Sequence, residues 1–261
     1  MYKETPEYIH SEKPTIDQLT LKSMGWQHIE GDWNDPKITE RESFKQILII
    51  NRLKAAIKRI NLDENGNEWL DETQVNAAAS QLERLASQKL MEANQAATEL
   101  LVKGTVVEGQ NGKDVTIQFI DFDPAHLHLN DFLVINQYRV DPPWAEGDRG
   151  FIVPDIVLFV NGIPLVVIEC KSPNLDNPIT EAIGDLLKYS NQRDASQPEG
   201  AEKLFYYNQL MIAASRARAA AGSIGANYEH YVEWKDVRSP QPPLSRQGCF
   251  TLIFSSSLTL P

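Results

Sequence analysis

In "PDIVLFVNGIPLVVIECKS", residues Pro154–Ser172, an acid opens one apolar run and a Glu-x-Lys closes the next. The second run, Leu165-Val166-Val167-Ile168, has no polar alternation, which marks a strand buried on both faces. An uncompensated carboxylate at its end is costly, so Glu169 needs something positive beside it. Asn161-Gly162, between the runs, is a strong hairpin signal. A two-residue loop would pair Val160 with Ile163 and set Asp155 opposite Ile168. A three-residue loop with Gly162 left-handed would pair Val160 with Pro164 and Asp155 with Glu169. The two carboxylates would then share a face, about 5 Å apart at Cβ, and the i, i+2 rule adds Lys171 to it. We expect the three-residue loop.

Two carboxylates and an ammonium on one sheet face suit a divalent cation. Mg2+ usually takes one or two carboxylates together with waters and phosphate oxygens. Asp155, Glu169 and the backbone carbonyl of Cys170 are the expected protein ligands. Such an ion polarises a phosphodiester and lowers the pKa of bound water. Lys171 would hold the attacking water or stabilise charge at the phosphorus. A bare Glu-x-Lys is usually an ordinary ion pair at a strand end. The preceding Pro-Asp, the hairpin and the apolar lead-in shift the balance toward a site.

These strands sit in a chain whose pattern changes near Gly104. Ahead of it the periodicity predicts helices over 15–24 (closed by Gly25), 42–59 and 72–102. After it, strands are expected at Thr105–Glu108, Val115–Ile120, Phe132–Val140, Asp155–Val160, Leu165–Cys170 and Leu210–Ala214, and near Tyr228–Val232. A helix over 179–191 is announced by Asn177-Pro178. The layout predicts an α/β or α+β fold. It divides into a helical region 1–104 packed on a core 105–240, with a tail 241–261, and one compact domain is the favoured arrangement.

The 261 residues are 42% hydrophobic and 23% charged, within the ordinary globular range. Neither a signal peptide nor an 18-residue apolar run is visible. Two cysteines, Cys170 and Cys249, give no disulfide framework and favour a reducing cytoplasm. His126 and His128 lack partners at zinc spacing, "GSIGAN" lacks the dinucleotide glycine order, and neither cysteine has a convincing His partner for nucleophilic catalysis.

"VPDIVLFVNGIPLVVIECKSPN" resembles the PD-(D/E)-x-K nuclease core in the restriction (R) subunit of type I restriction–modification enzymes. "TERESFKQILIINRLKAAIKRIN", "IDFDPAHLHLNDFLVINQYRV" and "NQLMIAASRARAAAGSIGANYEHYVEWKD" extend the resemblance over about residues 40–236. It implies a restriction-endonuclease-like mixed sheet flanked by helices, and a Mg2+-dependent DNA endonuclease in which Mn2+ can substitute. By position, Asp155 and Glu169 would ligate the metal and Lys171 would be the catalytic lysine. The family's supporting Gln-x-x-x-Tyr element corresponds to "DLLKY", with Tyr189 in place and Asp185 where glutamine would stand. Many such nucleases add an acid from the first helix. Glu12 is the candidate, with Glu7 and Asp17 as rivals, and each fits a solvated surface charge better.

The resemblance also implies duplex DNA as substrate, cut non-specifically once translocation stalls. Its partners would be modification and specificity subunits and an ATP-driven motor elsewhere in the full-length chain, in a bacterial or archaeal cytoplasm. No G-x-x-x-x-G-K-[ST] occurs here, so ATP would be used only by the full-length enzyme. Two other readings compete: a motor-independent repair or recombination nuclease, and a non-catalytic subunit-interaction domain. The net charge of −11 disfavours a stand-alone DNA binder. Arg41, Lys45, Arg52, Lys54, Lys58 and Arg59, with Arg216, Arg218, Arg238 and Arg246, could line a strand channel or be solvated faces.

Overall fold

A computed structural model describes residues 2–87, 89–109, 112–145, 150–216 and 218–234. Among them, the apolar runs after Gly104 pair into a mixed sheet with one edge strand from the N-terminal segment. The strands are β1 (Gln27–Glu30), β2 (Thr105–Glu108), β3 (Asp114–Ile117), β4 (Phe132–Asn136), β5 (Ile156–Val160), β6 (Ile163–Cys170), β7 (Leu210–Ser215), β8 (Arg218–Gly222) and β9 (Val232–Glu233). The helices are α1 (Lys13–Leu19), α2 (Ile50–Ile60), α3 (Glu72–Glu83), α4 (Leu90–Lys103), α5 (Pro178–Tyr189) and α6 (Glu202–Phe205). The main sheet runs β1-β4-β5-β6-β7-β8-β9, and β2-β3 form a separate hairpin. The pairs β1/β4 and β6/β7 are parallel; the other neighbours are antiparallel.

Both sheet faces are covered, which explains the unalternating strands. Val157, Phe159, Val167 and Ala213 join the large core under α2–α5. Ile156, Leu158, Ile168 and Ile212 meet Ile16 and Leu19 of α1 on the other side. This is the mixed-sheet α/β class of the restriction-endonuclease type. The pairing directions gather the ends of β1, β4, β6 and β7 and the start of β5 at one edge, and the candidate residues lie there.

The helices are shorter than their periodicity predicts, because tertiary partners take the backbone groups a helix would use. Residues 42–49 are irregular: the Tyr138 hydroxyl donates to the Ile47 carbonyl, and the Ile49 N–H donates to that of Gly162. The 72–102 stretch breaks after Glu83, where Tyr207 donates to the Leu82 carbonyl, and restarts as α4. The first helix covers 13–19 rather than 15–24, and Gly25 closes a later turn at φ 74°. The strand expected over 132–140 stops at Asn136, because Gln137 turns left-handed at φ 53°. Residues 228–230 form a 3-10 turn and the strand follows at Val232.

The β5–β6 hairpin corrects the expected loop. Val160 pairs with Ile163, so the reversal is the two-residue Asn161-Gly162 turn, both residues left-handed at φ 53° and 77°. The register then shifts inside β6: Phe159 faces Pro164, Leu158 faces Val166, and Leu165 is the extra residue of a β-bulge. Pro164 has no N–H to give to the ladder, and prolines in central strands are confined to such irregularities. Beyond the bulge Ile156 faces Ile168, which continues to Asp155 opposite Glu169. The acids therefore reach the expected register by a different device.

The Asn161 side chain accepts from the Asp131 N–H and donates to the Phe119 carbonyl and the Asn130 side chain, locking the turn. A Cβ on Gly162 would lie 2.5 Å from the Ile49 carbonyl oxygen and 3.0 Å from the Leu53 nitrogen. We expect Gly162→Ala to cost at least about 2 kcal/mol, from left-handed strain plus that backbone clash. Urea denaturation checks it, and an unchanged midpoint would contradict this account.

Candidate active site

Asp155 leads into β5 and is buried. Its carbonyl accepts from the Gln137 N–H at 2.9 Å, and its Oδ2 accepts from the Cys170 N–H at 2.7 Å. Glu169, near the end of β6, is 2% exposed. Its Oε1 accepts from Lys171 Nζ at 2.7 Å and from the Tyr189 hydroxyl at 3.4 Å. Its Oε2 is buried with no hydrogen-bond partner among the described residues. Lys171 also pairs with Asp185 at 2.8 Å. Asp185 and Tyr189 are one turn apart on α5, so the crossover helix sends both toward the end of β6.

Glu12 is not a solvated surface charge. It is 1% exposed at the end of a π-type turn, Tyr8–Glu12, that runs into α1. The Tyr2 hydroxyl and the Asn136 amide donate to its Oε1, and the Gln137 amide lies 3.4 Å from its Oε2. Ser11, its neighbour, donates to the Lys171 carbonyl and accepts from the Arg216 N–H, tying the turn to both strand ends. Glu7 is half-buried, and Asp17 is exposed and paired with Lys13. The structure thus brings together Glu12, Asp155, Glu169, Lys171, Asp185 and Tyr189, and leaves Asp17 outside.

Burial dominates the electrostatics. It raises the Asp155 carboxyl well above the aspartate range, helped by the charges of Glu169 and Glu12. Burial also raises Glu169 to about 7, with Lys171 opposing, and Glu12 to about 7, with the Tyr2 and Asn136 hydrogen bonds opposing. Burial pulls the Lys171 ammonium down, but Glu169 and Asp185 outweigh it and hold the group charged. Burial, then Glu169 and Asp185, push the Tyr189 phenol up and keep it a hydrogen-bond donor. Three inward-facing acids with one cation is a charge deficit.

No group of three or more His, Cys, Asp or Glu side chains is arranged among the described residues to hold an ion. Two carboxylates, Asp155 and Glu169, would suit only an ion that fills its remaining positions with other oxygens, as Mg2+ does. The unpartnered Oε2 of Glu169 is an orphaned acceptor of the sort such an ion would satisfy.

Of the basic residues that could line a strand channel or be solvated faces, Arg41, Arg52, Lys58 and Arg218 are bonded within the fold. Arg41 is buried over the Tyr138 ring and bonds the carbonyls of Gln46 and Arg139. Arg52 pairs with Glu40 at 2.7 Å and Asp131 at 2.8 Å, and Lys58 pairs with Glu72. Arg218 pairs with Glu233. Arg238 and Arg246 lie outside the described residues.

Residues 10–229 match the family model described as type I restriction enzyme R protein N terminus. The chain belongs to this family. Curated relatives agree with the assignment. A putative type I restriction enzyme MjaIXP endonuclease subunit from Methanocaldococcus jannaschii is 28% identical over 222 residues, covering 84% of this chain and 20% of that protein. The type I restriction enzyme HindI endonuclease subunit from Haemophilus influenzae is 32% identical over 232 residues, covering 85% of this chain and 20% of that protein. The chain spans about a fifth of the length of these relatives. It is a type I R-protein N-terminal region, and no helix among its described residues is long and apolar enough to cross a membrane.

Sequence reasoning missed Ser11, Asn136, Gln137 and Tyr2 in this R-protein region. The signal for two of them was visible: "INQY" sets adjacent amides where an apolar strand ends. The Ser11 and Tyr2 contacts depend on how the N-terminal turn docks, which no local pattern encodes.

Proposed function

We propose that this chain is the DNA-cutting module of a type I restriction enzyme R protein, hydrolysing phosphodiester bonds of duplex DNA with Mg2+. The observation that carries the reading is the Glu169 carboxylate, buried, one oxygen without a partner among the described residues, beside Asp155 and Lys171. Asp155, Glu169 and the Cys170 carbonyl would hold the cation, with Glu12 as a further acid, and Mn2+ would substitute. Bound there, the ion would supply Lewis-acid activation of the phosphodiester and of water. Lys171 donates toward the attacking water or the developing phosphate charge and stays charged throughout. Asp185 and Tyr189 orient it and Glu169 from α5.

In this reading the modification and specificity subunits choose the DNA. An ATP-driven motor in the rest of the R protein moves it, in the cytoplasm of a bacterium or archaeon, and cutting follows when translocation stalls. The acidic surface suits a module that relies on those partners for DNA affinity.

The test is linkage between pH, cation and stability. Glu12 and Glu169 ionise at about 7 in the folded chain but in the ordinary glutamate range when unfolded. The folded state therefore binds more protons in that interval, and metal-free stability falls as pH rises from about 5 to about 8. A divalent cation prefers the ionised acids, so the rise in thermal midpoint with Mg2+ or Mn2+ is expected to be large near pH 8 and to fade near pH 5. A midpoint indifferent to both cations near pH 8 would refute the metal site.

A further inference from the structure

The hairpin joining β7 to β8 reverses at an unexpected residue type. Ser215 pairs with Arg218, so Arg216 opens a two-residue connection. Reversals that short need left-handed backbone and favour Asn, Asp or Gly. Arg216 adopts it at φ 48°, with a long side chain that the turn itself does not call for. Non-glycine residues seldom take that conformation, and such outliers cluster where a site needs a particular side chain.

The backbone of Arg216 is held from the catalytic edge of the sheet. Its N–H donates to Ser11 Oγ at 3.0 Å, and the Ser11 hydroxyl donates to the Lys171 carbonyl at 2.9 Å. The Lys171 N–H in turn donates to the Ala214 carbonyl at 2.9 Å. One serine thus couples the reversal to the residue that bears the site's ammonium. Along β7, Ala213 lies beside Glu169 and Ala214 beside Cys170, so Arg216 stands three residues past the partner of Glu169.

The Arg216 side chain is exposed, and its guanidinium has no hydrogen bond or ion pair among the described residues. Arg218, across the same reversal, is paired with Glu233 at 2.9 Å. Lys171 is shared between Glu169 at 2.7 Å and Asp185 at 2.8 Å. A DNA strand approaching this edge therefore meets buried acids and an ammonium already engaged by two carboxylates. A free guanidinium beside them offers what the edge lacks, a planar donor fork that matches phosphate oxygens.

We propose that Arg216 is a substrate-positioning residue, contacting a backbone phosphate that flanks the scissile bond and holding the strand against the acidic edge. This rests on the nuclease reading above and names a residue by which that site grips its substrate. Arg216 ligates no cation and does not touch the reacting phosphorus.

The test uses full-length R protein assembled with its partner subunits. R216N suits the left-handed turn and removes the charge, and R216G, equally at home there, is a second variant should R216N not fold. Cleavage of duplex DNA is followed over a range of KCl, with ATP hydrolysis recorded alongside. R216N is expected to cut about 10-fold more slowly at a fixed salt concentration. The fall of log rate with log salt should become shallower by about 1, the signature of one lost phosphate contact. R216K should restore the salt slope. ATP hydrolysis and the Mg2+-induced rise in thermal midpoint should match wild type in all three variants. Wild-type rate and slope in R216N, or a loss of rate with the slope unchanged and no recovery in R216K, would overturn the assignment while leaving the nuclease reading standing. A wild-type enzyme that hydrolyses ATP but cuts no DNA with Mg2+ would overturn both.

Discussion

Glu169→Gln is expected to abolish cleavage and to raise the thermal midpoint of the metal-free protein near pH 8. The two effects share a cause. Glu169 is buried, faces Asp155 across the hairpin, and has an oxygen with no partner among the described residues. Neutralising it removes repulsion and a desolvation cost, and the remaining carbonyl oxygen can still accept from Lys171. A gain of about 1 kcal/mol is a reasonable scale for that exchange. If Glu169 ligates a cation as proposed, cleavage by the assembled enzyme should fall by about 10²–10³-fold or more, because an anionic ligand is gone. Melting and cleavage assays on one preparation check both. A variant that melts lower and cuts normally would show Glu169 to be a structural acid.

Lys171→Ala is expected to remove cleavage by a different route and to cost stability. Its ammonium lies 2.7 Å from Glu169 and 2.8 Å from Asp185, so truncation leaves a buried carboxylate uncompensated. Breaking such a pair typically costs about 3–5 kcal/mol. On the proposed role of Lys171 as a charged donor to the reacting phosphate, its loss should lower cleavage by about 10²–10⁴-fold. ATP hydrolysis by the assembled enzyme should persist, and added Mg2+ should recover part of the lost stability by neutralising Glu169. Cleavage at the wild-type rate would remove Lys171 from the chemistry.

The contrast between these variants separates a catalytic site from an ion pair. A salt bridge that only holds the strand end in place would make both substitutions destabilising. A cation site opposes them: one relieves the charge deficit and the other deepens it.

The strands and the grouping of Asp155, Glu169 and Lys171 were legible because each is local. Leu165–Ile168 shows double-sided burial in its lack of alternation, and Asp155, Glu169 and Lys171 are close in sequence once the hairpin is recognised. Helix lengths were overestimated where the apolar periodicity of 42–49 serves an irregular segment pinned by Tyr138 and Gly162. The edge strand β1 pairs with β4 across about 100 residues and has only one half-buried apolar position, Ile29, so no pattern announced it. Glu12 looked like any exposed acid because its burial comes from Tyr2, Asn136 and Gln137, contacts made across the fold. The turn type was misjudged for want of weight on Pro164, whose missing N–H was the local sign that the register would slip within β6 rather than at the reversal.

That slip has a consequence for how such proteins are compared. Deleting Leu165 alone would preserve every letter of the acid–acid–lysine signature and yet put Asp155 across from Ile168, turning a paired set of charges into strangers. Spelling is therefore an unsafe guide to which relatives still cut. The discriminating quantity is the parity of the residue count between the Asn-Gly reversal and the glutamate, a number that alignment gaps routinely erase.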